Sequence, residues 1–141
     1  MIAIGPEPID LAGLIAAVGD PAHGAICTFL GTTRETSPGD ERPVEALEYE
    51  SYTEMALADF AAIAHEAERR FGPLRIALAH RLGRVALGEA SVGVAVGAPH
   101  RDAAFDACEF AIDTLKARAP IWKRESYRDG GSAWIANAPP A

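Results

Sequence analysis

HRDAAFDACEFAIDTLKARAPIWKRESYRDGGSAWI, residues 100–135, carries both halves of the fold in one stretch. Its first half places Phe105, Cys108, Ile112 and Leu115 three or four residues apart, which predicts an amphipathic helix with those four on its buried stripe. Pro120 ends it, because a proline ring lacks the amide hydrogen that a helix interior needs. The second half, 121–135, reads as a β-hairpin turning at Asp129-Gly130-Gly131. A long helix feeding an antiparallel hairpin points to an α+β domain.

The flanking sequence extends the pattern. IDLAGLIAAV (9–18) predicts a short helix started by Pro8 and ended by Gly19-Asp20-Pro21. HGAICTFLG (23–31) is apolar and β-branched enough for a buried central strand, and VEALEYESY (44–52) alternates as a half-buried one. Between them, RETSPGDERP (34–43) lacks periodicity and reads as a mobile surface loop. TEMALADFAAIAHEAERRFG predicts a helix with Thr53 as N-cap, Gly72 as stop, and a stripe of Leu57, Phe60, Ala64 and Ala67. LRIALAHRLG follows as a strand with Leu74, Ile76 and Leu78 on one face, and His80 joins that face as a core histidine. After a turn at Gly83 come one short and one longer strand. The expected order is α-β-β-α-β-β-β-α-β-β, a single domain over 1–141 with helices packed on a largely antiparallel sheet.

Composition narrows the function classes. No apolar run approaches the ~20 residues of a membrane span, and the N-terminus lacks a basic secretory n-region, so the expected location is cytoplasmic. Cys27 and Cys108 sit in apolar surroundings and read as small buried hydrophobes. The four histidines show no metal-ligand spacing. A net charge of −7 argues against nucleic-acid binding. Acids dominate 35–68, whereas Lys116, Arg118, Lys123, Arg124 and Arg128 crowd one short stretch, the pattern of a patch reserved for an anionic ligand or acidic partner. A solvated basic face is the competing reading.

Three places hold chemistry-bearing residues. His100-Arg101 follows Pro99 at a helix start, where unpaired amides and the helix dipole attract anions; capping by His100 and a solvated Arg101 are the alternative. FLGTTR (29–34) ends a strand in backbone donors, two hydroxyls and a guanidinium, an oxyanion-binding edge in a type of turn that is also common without function. Lys116 and Lys123 flank the rigid Ala-Pro turn. Mutual repulsion there would free an uncharged amine for acid–base work, whereas an ordinary helical ion pair to Asp113 would leave Lys116 inert. Arg101 and Lys116 lie 15 residues apart on one helix, about 22 Å. If both serve one pocket, a two-fold dimer must bring the His100-Arg101 end of one subunit to the lysines of the other.

FLGTTR, LEYESY-TEMA, HRLGRVALGE, PHRDAAFDACEFAIDTLK and PIWKRE, in that order from about His23 to Trp134, resemble the catalytic (large) subunit of molybdopterin synthase. The resemblance implies an α/β hammerhead fold and a homodimer within a heterotetramer. Its partner would be a small ubiquitin-like sulfur-carrier subunit with a C-terminal Gly-Gly thiocarboxylate. Its substrate would be cyclic pyranopterin monophosphate, which receives two sulfurs to become the dithiolene of molybdopterin, in molybdenum cofactor biosynthesis. It implies no metal and no resident cofactor. Carried over by motif, Lys116 would sit beside the carrier's terminal glycine and Lys123 would assist. Phe29, Thr32, Thr33, Arg34, His100 and Arg101 would contact substrate, with Arg124 and Glu125 on the substrate side.

The chain departs from the family pattern where some members carry an arginine a few residues beyond the final tryptophan, for here Trp134 precedes IANAPPA. Ile112 stands where methionine sometimes precedes the first lysine, a tolerable apolar swap. Two other classes compete with the enzyme. One is a non-catalytic adaptor that binds a ubiquitin-like tail, and the other a phosphate-ligand binding domain built on His100-Arg101.

Overall fold

The computed structural model describes residues 1–36 and 42–135. Along the chain lie β1 (Ile2–Gly5), α1 (Leu11–Val18), β2 (Ala25–Thr32), β3 (Val44–Ser51), α2 (Thr53–Phe71), β4 (Arg75–Arg81), β5 (Gly83–Ala86), β6 (Ala90–Ala98), α3 (Arg101–Arg118), β7 (Ile121–Tyr127) and β8 (Ser132–Ile135). The strands form two four-stranded sheets, ordered β1-β4-β6-β2 and β5-β3-β7-β8. Among the described residues, every pairing is antiparallel except that of β1 with β4. The α+β expectation holds, with two sheets in place of one.

Strand alternation explains the layering of the first sheet. Leu78, Val94 and Val96 point to one face, where α2 and α3 cover them with Phe60, Ile63, Ile112 and Leu115. Ala77, Ala79 and Ala95 point to the other, where α1 supplies Leu14 and Val18. Gly97 lets α1 come this close: a Cβ there would lie 2.2 Å from the Val18 carbonyl oxygen. The second sheet buries Val44, Leu47 and Tyr127.

Several local expectations shift. The strand β1 escapes a pattern-based reading, because four residues before a proline carry too little periodicity. The first helix begins at Leu11, since the Asp10 side chain accepts the Gly13 amide at 3.0 Å and caps it there. Thr53 is the first residue of α2 and Tyr52 its N-cap; Gly72 at φ +88° stops the helix as expected. On α2 the buried stripe is Ala56, Phe60, Ile63 and Ala67, so Leu57 and Ala64 lie off it. On α3 small residues do most of the packing, Ala104, Ala107 and Ala111 beside Cys108, Ile112 and Leu115, and Phe105 is 60% exposed. Rather than occupying the centre of its sheet, β2 lies at an edge, with Ile26 and Leu30 exposed on its outer face. Among the described residues, no helix is long and apolar enough to cross a membrane.

Candidate functional site

On β7 the residues Ile121, Lys123, Glu125 and Tyr127 share one face by strand alternation, and Trp122, Arg124 and Ser126 share the other. Lys123 lies opposite Tyr49 of β3, and Glu125 lies opposite Leu47. Glu125 is only 1% exposed, so its side chain is locked into this inner face. Burial, and then the neighbouring Lys116 ammonium, press the Lys123 amine below its ordinary pKa; Arg34 adds to that and Glu125 opposes it. Two lysines seven positions apart thus converge because Ala119-Pro120 turns the chain sharply between α3 and β7. The end of β2 brings Arg34 to the same spot.

Beneath them lies a buried polar layer. His80 is 6% exposed and meets the Tyr49 ring edge-on, with centroids 4.9 Å apart. A carbonyl can only accept, so the 2.8 Å contact between His80 Nδ1 and the Arg81 oxygen places the proton on Nδ1. Burial lowers the His80 pKa to about 4, and the charge of Lys116 acts in the same direction. Burial raises the Tyr49 hydroxyl above its ordinary value, although a hydrogen bond with Ser91 works against this. Ser91 Oγ donates to the Gly31 carbonyl at 3.4 Å.

The neutrality of His80 has a measurable consequence. An unfolded chain takes up a proton near pH 6.5, which folded His80 refuses until about pH 4. Stability is therefore complete above pH 6.5 and declines on acidification through that window, by on the order of 3 kcal/mol at most. Urea midpoints should fall between pH 7 and pH 4.5, and His80→Gln should flatten that fall. An unchanged slope in the variant would show that His80 does not titrate this way.

Beyond β2 the chain is tied on both sides. Glu35 pairs with Arg128 at 3.1 Å, and its carbonyl accepts the Val44 amide at 2.7 Å. Arg42 pairs with Asp129 at 3.1 Å and covers the Tyr127 ring at 3.8 Å. Thr33 is buried, and its hydroxyl has no hydrogen-bond partner among the described residues. Thr32 is exposed, and Phe29 is half-buried against the main core. The middle of the expected surface loop, residues 37–41, and the arginine-free tail beyond Ile135 fall outside the described residues.

Two sets of expected residues are not gathered here. Arg124 faces the opposite side of β7 from Lys123 and Glu125, where it pairs with Glu48 and lies over the Trp134 ring at 5.6 Å. Trp122 shares that outer face and stacks edge-on with Tyr52, ring centroids 5.2 Å apart. His100 and Arg101 lie at the far end of α3. The first residue of β2, Ala25, pairs with Ala98, and its last, Thr32, pairs with Ala90. Because α3 runs back along that sheet, Arg101 lies at the Ala98 end and Lys116 at the Ala90 end. Arg101 is a cation in the first turn of a helix, where the dipole disfavours it, and Asp102 offsets only part of this.

The polar layer itself was the feature least visible in sequence. His80 was readable as a core histidine, but nothing in LRIALAHRLG says that it underlies Lys116, because that proximity joins β4 to the end of α3. Among the described residues no group of three or more His, Cys, Asp or Glu side chains could hold a metal.

The MoaE protein family matches residues 4–118. The chain is 43% identical over 135 residues to the molybdopterin synthase catalytic subunit of a Nostoc species, covering 95% of this chain and 81% of that one. Among solved structures, molybdopterin synthase from Staphylococcus aureus superposes with a TM-score of 0.88 at 34% identity over 94% of both chains. A protein-protein complex of subunits 1 and 2 of the molybdopterin-converting factor from Helicobacter pylori shares the fold, with a TM-score of 0.76 at 23% identity over 98% of this chain and 92% of that one.

Proposed function

Since this chain belongs to the MoaE protein family, we propose that it is the catalytic subunit of a molybdopterin synthase, moving sulfur from a thiocarboxylated carrier subunit to cyclic pyranopterin monophosphate. The observation that carries the reading is the meeting of Lys116, Lys123 and Arg34 over a buried polar layer, with one of the two lysines pressed toward its neutral form. Sulfur remains on the pterin, a water-derived oxygen replaces it on the carrier, and the carrier leaves as a carboxylate. Negative charge passes through this site at each stage, and fixed cations stabilise it best where water is excluded.

Lys116, exposed on the last turn of α3, meets the carrier's C-terminal glycine, stabilises the leaving carboxylate and takes part in proton transfer. Lys123, half-buried and with a weakened proton, exchanges protons with the reacting groups. Arg34, Thr32 and Thr33 grip the phosphate-bearing substrate, and Phe29 backs that pocket. Glu125 holds Lys123 in place. Arg124, on the outer face, serves through the β3–β7 pairing. His100 and Arg101 complete the pocket from a second copy of the chain, so the working unit is a homodimer with a carrier on each subunit. The absence of a thiol nucleophile follows, because the carrier brings the sulfur. The reaction belongs in the cytoplasm.

The test is a single turnover of cyclic pyranopterin monophosphate with purified protein and thiocarboxylated carrier. Molybdopterin should form in proportion to carrier consumed, two sulfurs for each product. Carrier binding without product would leave a non-catalytic adaptor instead.

A further inference from the structure

Apart from His80, the HRLGRVALGE segment, residues 80–89, is absorbed by none of the roles above, yet it holds the end of β2. The Thr33 amide donates to the Glu89 carbonyl at 3.0 Å, and the Gly88 amide donates back to the Thr33 carbonyl at 3.0 Å. Both backbone polar groups of Thr33 are therefore fixed by one turn, spanning residues 86–89. Gly88 adopts φ +78°, a conformation that few other residues tolerate.

Glu89 closes that turn. Its amide donates to the Ala86 carbonyl at 3.1 Å, its Oε1 accepts the Ala86 amide at 3.0 Å, and its Oε2 accepts from Arg81 Nη1 at 2.8 Å. The Arg81 side chain is only 16% exposed, so its charge depends on this partner. The hydrogen bond from Arg81, and then that from Ala86, hold the Glu89 carboxyl below its ordinary pKa. The Arg81 carbonyl in turn fixes His80. A single strand end thus sets both the ring beneath Lys116 and the turn that carries Thr33.

We propose that Arg81 and Glu89 are positioning residues, which act through the 86–89 turn to aim Thr33 and Arg34 at the substrate's anionic group. The proposal rests on the function given above and deepens it. The segment Thr33–Arg34 leaves β2 at a register break between Gly31 and Thr32, where regular pairing no longer dictates its direction. The Glu89 turn supplies that direction from one side, and the Glu35–Arg128 pair anchors the next residue from the other.

Glu89→Gln keeps the shape and the acceptor for Ala86 but removes the charge that holds Arg81. In single-turnover sulfur transfer it should raise the KM for cyclic pyranopterin monophosphate about tenfold with kcat nearly unchanged, the scale of coupling between contacting residues. In an Arg34→Ala background the same substitution should have a much smaller effect, the part carried by Thr33 alone. Equal effects in both backgrounds would overturn the proposal, since a general loss of structure adds rather than merges. Equilibrium binding of the substrate without carrier reads the clamp apart from the chemistry. Weaker binding to Glu89→Gln, beside a wild type that binds but transfers no sulfur, would sink the catalytic role and keep this one. Unchanged binding would overturn the clamp alone. Arg81→Lys, which retains charge but lacks the guanidinium fork, is the second variant should Glu89→Gln fold poorly, and a KM equal to wild type there would also overturn it.

Discussion

Lys116→Ala is expected to lower single-turnover sulfur transfer by about a thousandfold or more while carrier binding persists. Removing one fixed donor from developing negative charge typically costs about 10²–10³ in rate. Loss of a positioned proton-transfer group costs about as much again. The two share one side chain, so their costs overlap rather than multiply. Unfolding does not account for such a loss. Lys116 is exposed on the last turn of α3, where a cation contributes only about 0.3–1 kcal/mol through the helix dipole. The melting temperature should therefore barely move. Lys116→Arg separates the two functions, because it preserves charge but holds its proton far more tightly. Partial activity in that variant marks charge stabilisation as the larger part. Wild-type product from Lys116→Ala would reduce the lysine to a solvated helix end.

The second large effect is a recovery rather than a loss. Arg101→Ala and Lys116→Ala homodimers should each be nearly inactive, whereas refolding an equal mixture should restore about a quarter of wild-type activity. Half of all the dimers then pair one subunit of each kind, and one of the two pockets in such a dimer holds both wild-type side chains. The reasoning rests on α3 as a ruler. Arg101 and Lys116 lie at opposite ends of the same helix, about 22 Å apart at the helical rise of 1.5 Å per residue, and the helix lies flat along β2 and β6. No small pterin spans that distance within one chain. Activity in the mixture no greater than in either parent would show that each chain uses its own His100 and Arg101, or that they serve elsewhere.

Helix and strand identities were largely legible because periodicity is a local property. The Leu74, Ile76, Leu78 face, the Gly72 stop and the hairpin turn at Asp129-Gly130-Gly131 all stand as read. The misjudged positions were those decided by a second element. Phe105 matches a helical stripe by spacing, yet the helix approaches its sheet through Ala104, Ala107 and Ala111, which turns the ring outward. β2 has the composition of a central strand but lies at an edge, because strand order depends on long-range pairing. In the site, Lys116 and Lys123 were legible from the rigid turn between them. Arg124 and Glu125 looked equivalent as neighbours in PIWKRE, although alternation sends them to opposite faces. The layer of Tyr49, His80 and Ser91 comes from three different strands, so no single segment announces it.

Cys27 and Cys108, one on β2 and one on α3, touch beneath the helix through a thiol–thiol hydrogen bond, and burial pushes Cys108 up to about 12. At neutral pH it therefore stays a thiol, and the thiolate is the nucleophile. For a catalyst that handles activated sulfur, that silence is chemoselectivity. An ordinary thiol near a thiocarboxylate would be a rival acceptor, able to take the acyl group as a thioester with loss of the sulfur as sulfide, and so strand the carrier on the protein. Packing this sulfur into the helix–sheet seam takes Cys108 out of the competition before any substrate arrives.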